Sequence, residues 1–284
     1  MHFFSNRWLY VNEPIVNMRE LPSKDSKVVS QVVFGEEIAL EKSVGEWAYI
    51  RSSDTYTGWI LQSSYVELET PYISNISTSR LSSHLYAIED TEFGPIKTLA
   101  YQTRLQAIGE GDRWIELLLP DQTKAYIQKG DVSPEAKLYT KQDLCVFSQK
   151  FLGLPYTWGG RSSFGYDCSG FIQMLYQQIS VHLPRDARQQ ILDPRFKEIS
   201  VDHLKPGDLL FFGKCSEKIQ HVGLYLGDQK FIHATSRENL PWIRISKLTD
   251  FEWSGHSDAY YPHRRLYQNK VLEFNNGNSR NFFL

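Results

Sequence analysis

Residues 32–66 and residues 103–132 carry one pattern twice. In the first stretch the alternating runs Glu37-Ile38-Ala39-Leu40-Glu41 and Trp47-Ala48-Tyr49-Ile50-Arg51 are separated by Gly45-Glu46 and followed by Asp54-Thr55, Gly58-Trp59-Ile60 and Tyr65-Val66-Glu67-Leu68. The second stretch reads Arg104-Leu105-Gln106-Ala107-Ile108, then Gly111-Asp112-Arg113-Trp114-Ile115-Glu116-Leu117, then Ala125-Tyr126-Ile127. Trp47 precedes Trp59 by 12 residues and Trp114 precedes Tyr126 by 12; Val66 lies 19 beyond Trp47, and Val132 lies 18 beyond Trp114. Alternation with a period of two marks half-buried strands, and a repeated layout marks two copies of one strand-rich unit. Each unit is expected to hold about five short strands closed into a small barrel. The layout divides the chain into 1–70, 71–135 and 136–284, with Ser133-Pro134-Glu135-Ala136-Lys137 as the last linker.

Composition removes several function classes. With 41% hydrophobic and 23% charged residues the chain is an ordinary folded one, and 14% aromatics suit strands and aromatic-lined grooves. A net charge of −2 gives no general attraction to nucleic acid or to an anionic membrane surface. No apolar run is long enough to span a bilayer, so no membrane insertion is expected. Met1 to Trp8 has no basic-flanked apolar stretch, which predicts a cytoplasmic protein, with a trimmed, exported chain as the alternative.

Cys145, Cys168 and Cys215 are odd in number and contain no C-x-x-C pair, which fits neither a disulfide framework nor a zinc site. The region after residue 140 sorts them. Leu144, Cys145, Phe147, Phe151 and Leu152 fall near helical spacing, which predicts an amphipathic helix over 141–152 with Cys145 as a core thiol. Phe171, Ile172, Leu175 and Ile179 make the apolar face of a second helix over 168–179. Strands are expected over 208–212, 221–226 and 231–234, so the third region reads as α+β. Cys215 matches no pattern.

Cys168 follows the glycine-rich run Gly159 to Tyr166, and Asp167 is a good N-cap residue, so Cys168 takes the first helical position. The unpaired amides and the helix dipole there favour a thiolate and can bind an oxyanion. A thiol needs a base, and six of the eight histidines sit in polar or loop-like contexts. His221 alternates with Val222, Leu224 and Leu226, and His233 lies across the Gly227-Asp228-Gln229-Lys230 turn. A three-residue loop, or a bulge, puts both rings on one face with His233 opposite Gly223. An unbulged loop of two or four residues separates them.

Residues 141–265 resemble the NlpC-type family of cell-wall cysteine peptidases, which has a papain-like core. The resemblance rests on Pro155-Tyr156-x-Trp158-Gly159-Gly160, Asp167-Cys168-Ser169-Gly170-Phe171, Pro184-Arg185-Asp186-Ala187, Leu204-Lys205-Pro206-Gly207-Asp208-Leu209, His221-Val222-Gly223 and Phe231-Ile232-His233-Ala234. Asn17-Met18-Arg19-x-x-Pro22 with the later Gly-Trp-Ile resembles a bacterial SH3-like domain, and the second copy is a diverged one. The resemblance implies an α+β papain-like domain, helices on an antiparallel sheet, behind two small SH3-like β-barrels. It implies Cys168 as nucleophile, His221 as base and His233 as its orienting partner, with no metal or organic cofactor. It also implies Asp167, Ser169, Tyr156 and Trp158 as substrate-binding residues, with Tyr56, Glu20 and Asp186 as further candidates. Ala187 stands where the family often has serine. Arg185 and Asp186 could equally form an ion pair with each other.

The implied substrate is a muropeptide, L-Ala-γ-D-Glu-diamino acid, cut at the γ-D-glutamyl bond during murein peptide recycling. Two rivals share these residues: an exported hydrolase with the barrels as wall anchors, and a catalytically silent peptidoglycan-binding protein.

Overall fold

The computed structural model describes residues 7–133, 139–213, 218–250 and 253, and the backbone of 266–272. Cys215, His2, His256, His263 and all but Ser133 of the expected linker lie outside the described residues.

Strands β1 (Trp8–Val11), β2 (Ile15–Arg19), β3 (Val28–Val33), β4 (Glu37–Val44), β5 (Trp47–Arg51), β6 (Thr57–Leu61) and β7 (Tyr65–Leu68) form one sheet in the order β3-β2-β6-β5-β4-β1-β7. Strands β8 (Ile76–Thr78), β9 (Ser82–Tyr86), β10 (Lys97–Ala100), β11 (Arg104–Glu110), β12 (Trp114–Leu118), β13 (Lys124–Gln128) and β14 (Val132–Ser133) form another, β10-β9-β13-β12-β11-β8-β14. The two orders are the same, offset by one unit. Trp47 and Trp114 each open the fifth strand of their unit, and Trp59 and Tyr126 each stand third in the sixth. Each unit has seven strands rather than about five, because the short β1, β8 and β14 lack the alternation that reveals the longer ones.

The two units are tied together. Phe34 of the first lies in the apolar core of the second with Leu85, Leu99 and Leu105, and the Tyr10 hydroxyl accepts from the Tyr72 amide at 3.1 Å.

Among the described residues the last region holds three α-helices, α1 (Lys141–Ser148), α2 (Cys168–Gln177) and α3 (Ala187–Gln190). It also holds a short ribbon of β15 (Arg161–Ser162) and β16 (Gly165–Tyr166). Its main sheet contains β17 (Phe196–Ile199), β18 (Leu209–Gly213), β19 (Ile219–Gly227), β20 (Lys230–Thr235), β21 (Trp242–Lys247) and β22 (Leu266–Leu272), ordered β17-β22-β18-β19-β20-β21 and antiparallel throughout. Helix α1 starts at a capping box between Thr140 and Asp143 and stops at Ser148, with a single 3₁₀ turn over Gln149–Phe151 in place of the last expected turn. Gly153, at φ +82°, turns the chain away.

The helices cover one face of this sheet. Leu209, Phe211, Val222, Leu224, Ile232, Ala234 and Ile243 pack there with Phe147, Phe171, Ile172 and Leu175, and Cys145 is buried among them. The other face carries Leu210, Phe212, Tyr225, Phe231 and Trp253. No helix among the described residues is long and apolar enough to cross a membrane.

Candidate active site

Helix α2 begins where the sequence places it. The Asp167 side chain accepts from the Gly170 amide at 2.7 Å and from the Gly159 amide at 3.1 Å, so one carboxylate caps the helix and holds the preceding loop. Gly170 is required here: a Cβ would overlap the carbonyl oxygen of Gly160, so loop and helix meet backbone to backbone.

Asp167 is also the partner of Arg185, through Nη2 at 2.6 Å and Nη1 at 3.0 Å. Arg185 does not pair with Asp186; that carboxylate binds Arg188 at 3.0 Å instead. The Arg185 guanidinium is 1% exposed and reaches Ser169 Oγ and, from the first β-unit, Ser30 Oγ, each at 3.0 Å. Burial opposes its charge, but Asp167 more than offsets that, and its pKa is raised.

Cys168 is half-buried at the start of α2. Its thiol is pushed up to about 12, chiefly by burial and then by Asp167, while the Val222 and Ser169 amides and Arg185 pull the other way. Burial thus works against the thiolate that the helix terminus favours. The Val222 amide brings the thiol against β19, in which His221 is the preceding residue.

The two histidines share a face, though not through a three-residue loop. Gly227 pairs with Lys230 around a two-residue turn in which Asp228 and Gln229 have φ of +50° and +58°, and a bulge at Leu226 restores Tyr225 opposite Phe231 and Leu224 opposite Ile232. In that register His233 falls opposite Gly223. His221 Nε2 lies 2.7 Å from His233 Nδ1, and His233 Nε2 lies 3.0 Å from Ser246 Oγ. Trp253 stacks on His221 at 5.2 Å and 28° and meets His233 edge-on at 4.9 Å. Burial drives both imidazoles well below 6.5, with Arg237 and Arg244 adding to it for His221, and His221 and the same arginines for His233.

The remaining candidates surround this centre unequally. The Tyr156 hydroxyl is pushed up by burial and then by the charges of Cys168 and Asp167. Ser169 is buried against Arg185. Trp158 is 59% exposed and donates to the Val28 carbonyl at 3.1 Å, bridging to the first β-unit. From that unit the Tyr56 hydroxyl reaches Asp186 Oδ2 at 3.5 Å, and Tyr56 and Glu20 line a pocket of about 300 Å³ with Arg19, Tyr49 and Gln189. Among the described residues no cluster of three or more His, Cys, Asp or Glu side chains is arranged to hold a metal ion.

The β15–β16 ribbon leading into Cys168 is held from both sides. Arg161 donates to the Gln31 carbonyl at 2.7 Å and pairs with Glu36 at 3.3 Å and Asp54 at 3.4 Å in the first unit. Ser163 donates to the Leu81 carbonyl at 2.5 Å and accepts from the Tyr101 amide at 2.9 Å in the second.

Comparison with known families agrees with this geometry. The NlpC/P60 family profile matches residues 153–260, and the bacterial SH3 domain profile matches residues 16–67. The chain carries an NlpC/P60 cysteine peptidase domain behind a bacterial SH3 domain. It is 26% identical to the gamma-D-glutamyl-L-lysine dipeptidyl-peptidase of Bacillus cereus, over 91% of this chain and 81% of that one. It is 29% identical to the Bacillus subtilis protein of the same name, over 74% of this chain and 73% of that one. The crystal structure of an NlpC/P60 family protein from Bacillus cereus superposes with a TM-score of 0.77 at 21% identity, over 94% of this chain and 99% of that chain, and shows the shared fold.

Several residues of this NlpC/P60 centre escaped sequence reading. Arg185 lies in Pro184-Arg185-Asp186-Ala187, where the local sequence offers only Asp186 as a partner. Ser246 and Trp253 carried no motif, though Ser246 shares the alternation of Trp242-Ile243-Arg244-Ile245-Ser246. Ser30 and Arg161 act across the contact between units, which no local pattern records.

Proposed function

We propose that this protein is a cysteine endopeptidase that hydrolyses the γ-D-glutamyl–diamino acid bond of peptidoglycan-derived peptides with a free N-terminal L-Ala. The observation that carries this reading is the meeting of Tyr56 and Asp186 at 3.5 Å, beside the pocket that Glu20 also lines. The Tyr56 phenol thus stands between the Asp186 carboxylate and the pocket that Glu20 lines on the first β-unit. Such a corner suits a primary ammonium and leaves little room for a substrate that continues beyond it. The names of the Bacillus relatives support the same bond. Released muropeptides in the cytoplasm, rather than intact sacculus, are then the substrate, and both β-units are SH3-like barrels serving the groove rather than wall anchors.

The chemistry starts from a neutral pair. The Cys168 thiol gives its proton to His221 as Sγ attacks the γ-amide carbonyl, and the amides at the start of α2 receive the oxyanion. The tetrahedral intermediate collapses as His221 passes the proton to the leaving amine. His221 then takes a proton from water, whose oxygen attacks the thioester and frees the γ-D-glutamyl acid and Cys168. His233 orients His221, and Arg185 holds Asp167 and Ser169 in place. Cleavage of L-Ala-γ-D-Glu-diaminopimelate should exceed that of its N-acetylated form by about tenfold or more, the factor for a lost hydrogen bond to a charged group. Preference for the acetylated form would overturn the recycling role and favour a wall hydrolase.

A further inference from the structure

We propose that Ser246 is the positioning residue that fixes the tautomer of the His233–His221 pair, through the contact between its hydroxyl and His233 Nε2. The inference deepens the reading above and rests on His221 being the base for Cys168. His221 Nε2 is engaged by His233 Nδ1 at 2.7 Å, which leaves Nδ1 of His221 as the nitrogen for the thiol proton. Once that proton arrives, both ring nitrogens of His221 carry hydrogen, so Nε2–H must donate to His233 Nδ1. A neutral His233 with a bare Nδ1 holds its only hydrogen on Nε2, and Ser246 Oγ stands 3.0 Å away to accept it.

The opposite arrangement disables the base. With the Ser246 hydroxyl donating to His233 Nε2, the His233 hydrogen moves to Nδ1 and points at Nε2 of His221. The His221 hydrogen must then sit on Nδ1, the position that has to be empty to receive the thiol proton. The orientation of one hydroxyl thus selects between a competent and a blocked pair.

The fold leaves little room for a substitute acceptor. Ser246 stands directly opposite Phe231 in the β20–β21 register, so it shares a sheet face with His233, two residues further along. His233 is 0% exposed, His221 5% and Ser246 4%, and Trp253 closes over both rings. Water therefore does not readily replace the serine.

Long-range ¹H–¹⁵N spectra of the full chain labelled at histidine, with the two rings assigned by their proton contacts to Trp253, read the tautomers directly. Hydrogen on Nε2 and a bare Nδ1 in both neutral rings is expected; Nδ1–H on either ring would overturn the proposal. This measurement uses the unaltered protein, so it stands even if variants fold poorly. In parallel, S246A should lower kcat about fivefold with little change in KM, the share of one ordinary hydrogen bond, and S246T should restore it. An S246A enzyme with unaltered kcat would refute the role of the serine. Failure of the underlying reading shows separately, as activity that survives in C168A.

Discussion

Acid should destabilise this fold through its buried histidine pair. Burial keeps His221 and His233 neutral well below their ordinary 6.5, whereas in the unfolded chain both rings take up protons near that value. Below pH ~6.5 the unfolded state therefore binds more protons than the folded one, and stability falls as pH falls. Each ring contributes a limiting slope of about 1.4 kcal/mol per pH unit while it stays neutral in the fold. Because each unfolded ring is half protonated at pH ~6.5, the loss from there to pH ~5 is about 1.6 kcal/mol per ring, or about 3 kcal/mol for the pair. The window is clean, because the lowered carboxylates Asp54 and Asp193 have an ordinary value of 3.8 and lose their contribution only at lower pH. Urea unfolding of the wild type and of an H221Q/H233Q variant, followed by tryptophan fluorescence across this range at constant ionic strength, isolates the term. The wild type should lose about 3 kcal/mol more than the variant on acidification to pH ~5. Parallel pH dependences in the two proteins would refute the claim that the fold holds these rings neutral.

Two further substitutions probe the frame around the thiol. Arg185→Met leaves the Asp167 carboxylate without its guanidinium and should cost about 3–5 kcal/mol in urea unfolding, with R185M/D167N recovering part of the loss because no unpaired charge remains; a double variant no more stable than R185M would contradict this. Gly223→Ala sets a Cβ 2.8 Å from Phe231 Cδ2 and 3.3 Å from His233 Cβ. It should cost about 1–3 kcal/mol and reduce kcat by displacing the His233 ring, so an unchanged melting temperature with full activity would count against that packing.

What the sequence disclosed follows the range over which each cause acts. Strand alternation is written every second residue, so the paired positions of Trp47 and Trp114 were legible without any structure. The helix start at Cys168 was equally local, resting on the Asp167 cap and on Gly170, which meets Gly160 backbone to backbone. The hairpin was half legible. Alternation set the condition that His221 and His233 need an odd loop or a bulge to share a face. It did not disclose the bulge at Leu226, because Asp228 and Gln229 are not a strong signature for the left-handed turn they adopt.

Burial and distant contacts were not legible, and they change the chemistry. A helix terminus argues locally for a thiolate, but packing of α2 under the sheet pushes the Cys168 thiol up to about 12. The same burial drives the imidazoles down, so neither partner is charged at rest. The proton must be moved during the reaction, and the geometry that receives it becomes decisive. That geometry is built from parts far apart in sequence: His233 and Ser246 on adjacent strands, Trp253 over both rings, and an Arg185 clamp completed by Ser30 of the first β-unit. The first β-unit is therefore part of the catalytic frame. It supplies Ser30 to the clamp on Asp167, grips Arg161 in the ribbon that leads into Cys168, and places Tyr56 against Asp186.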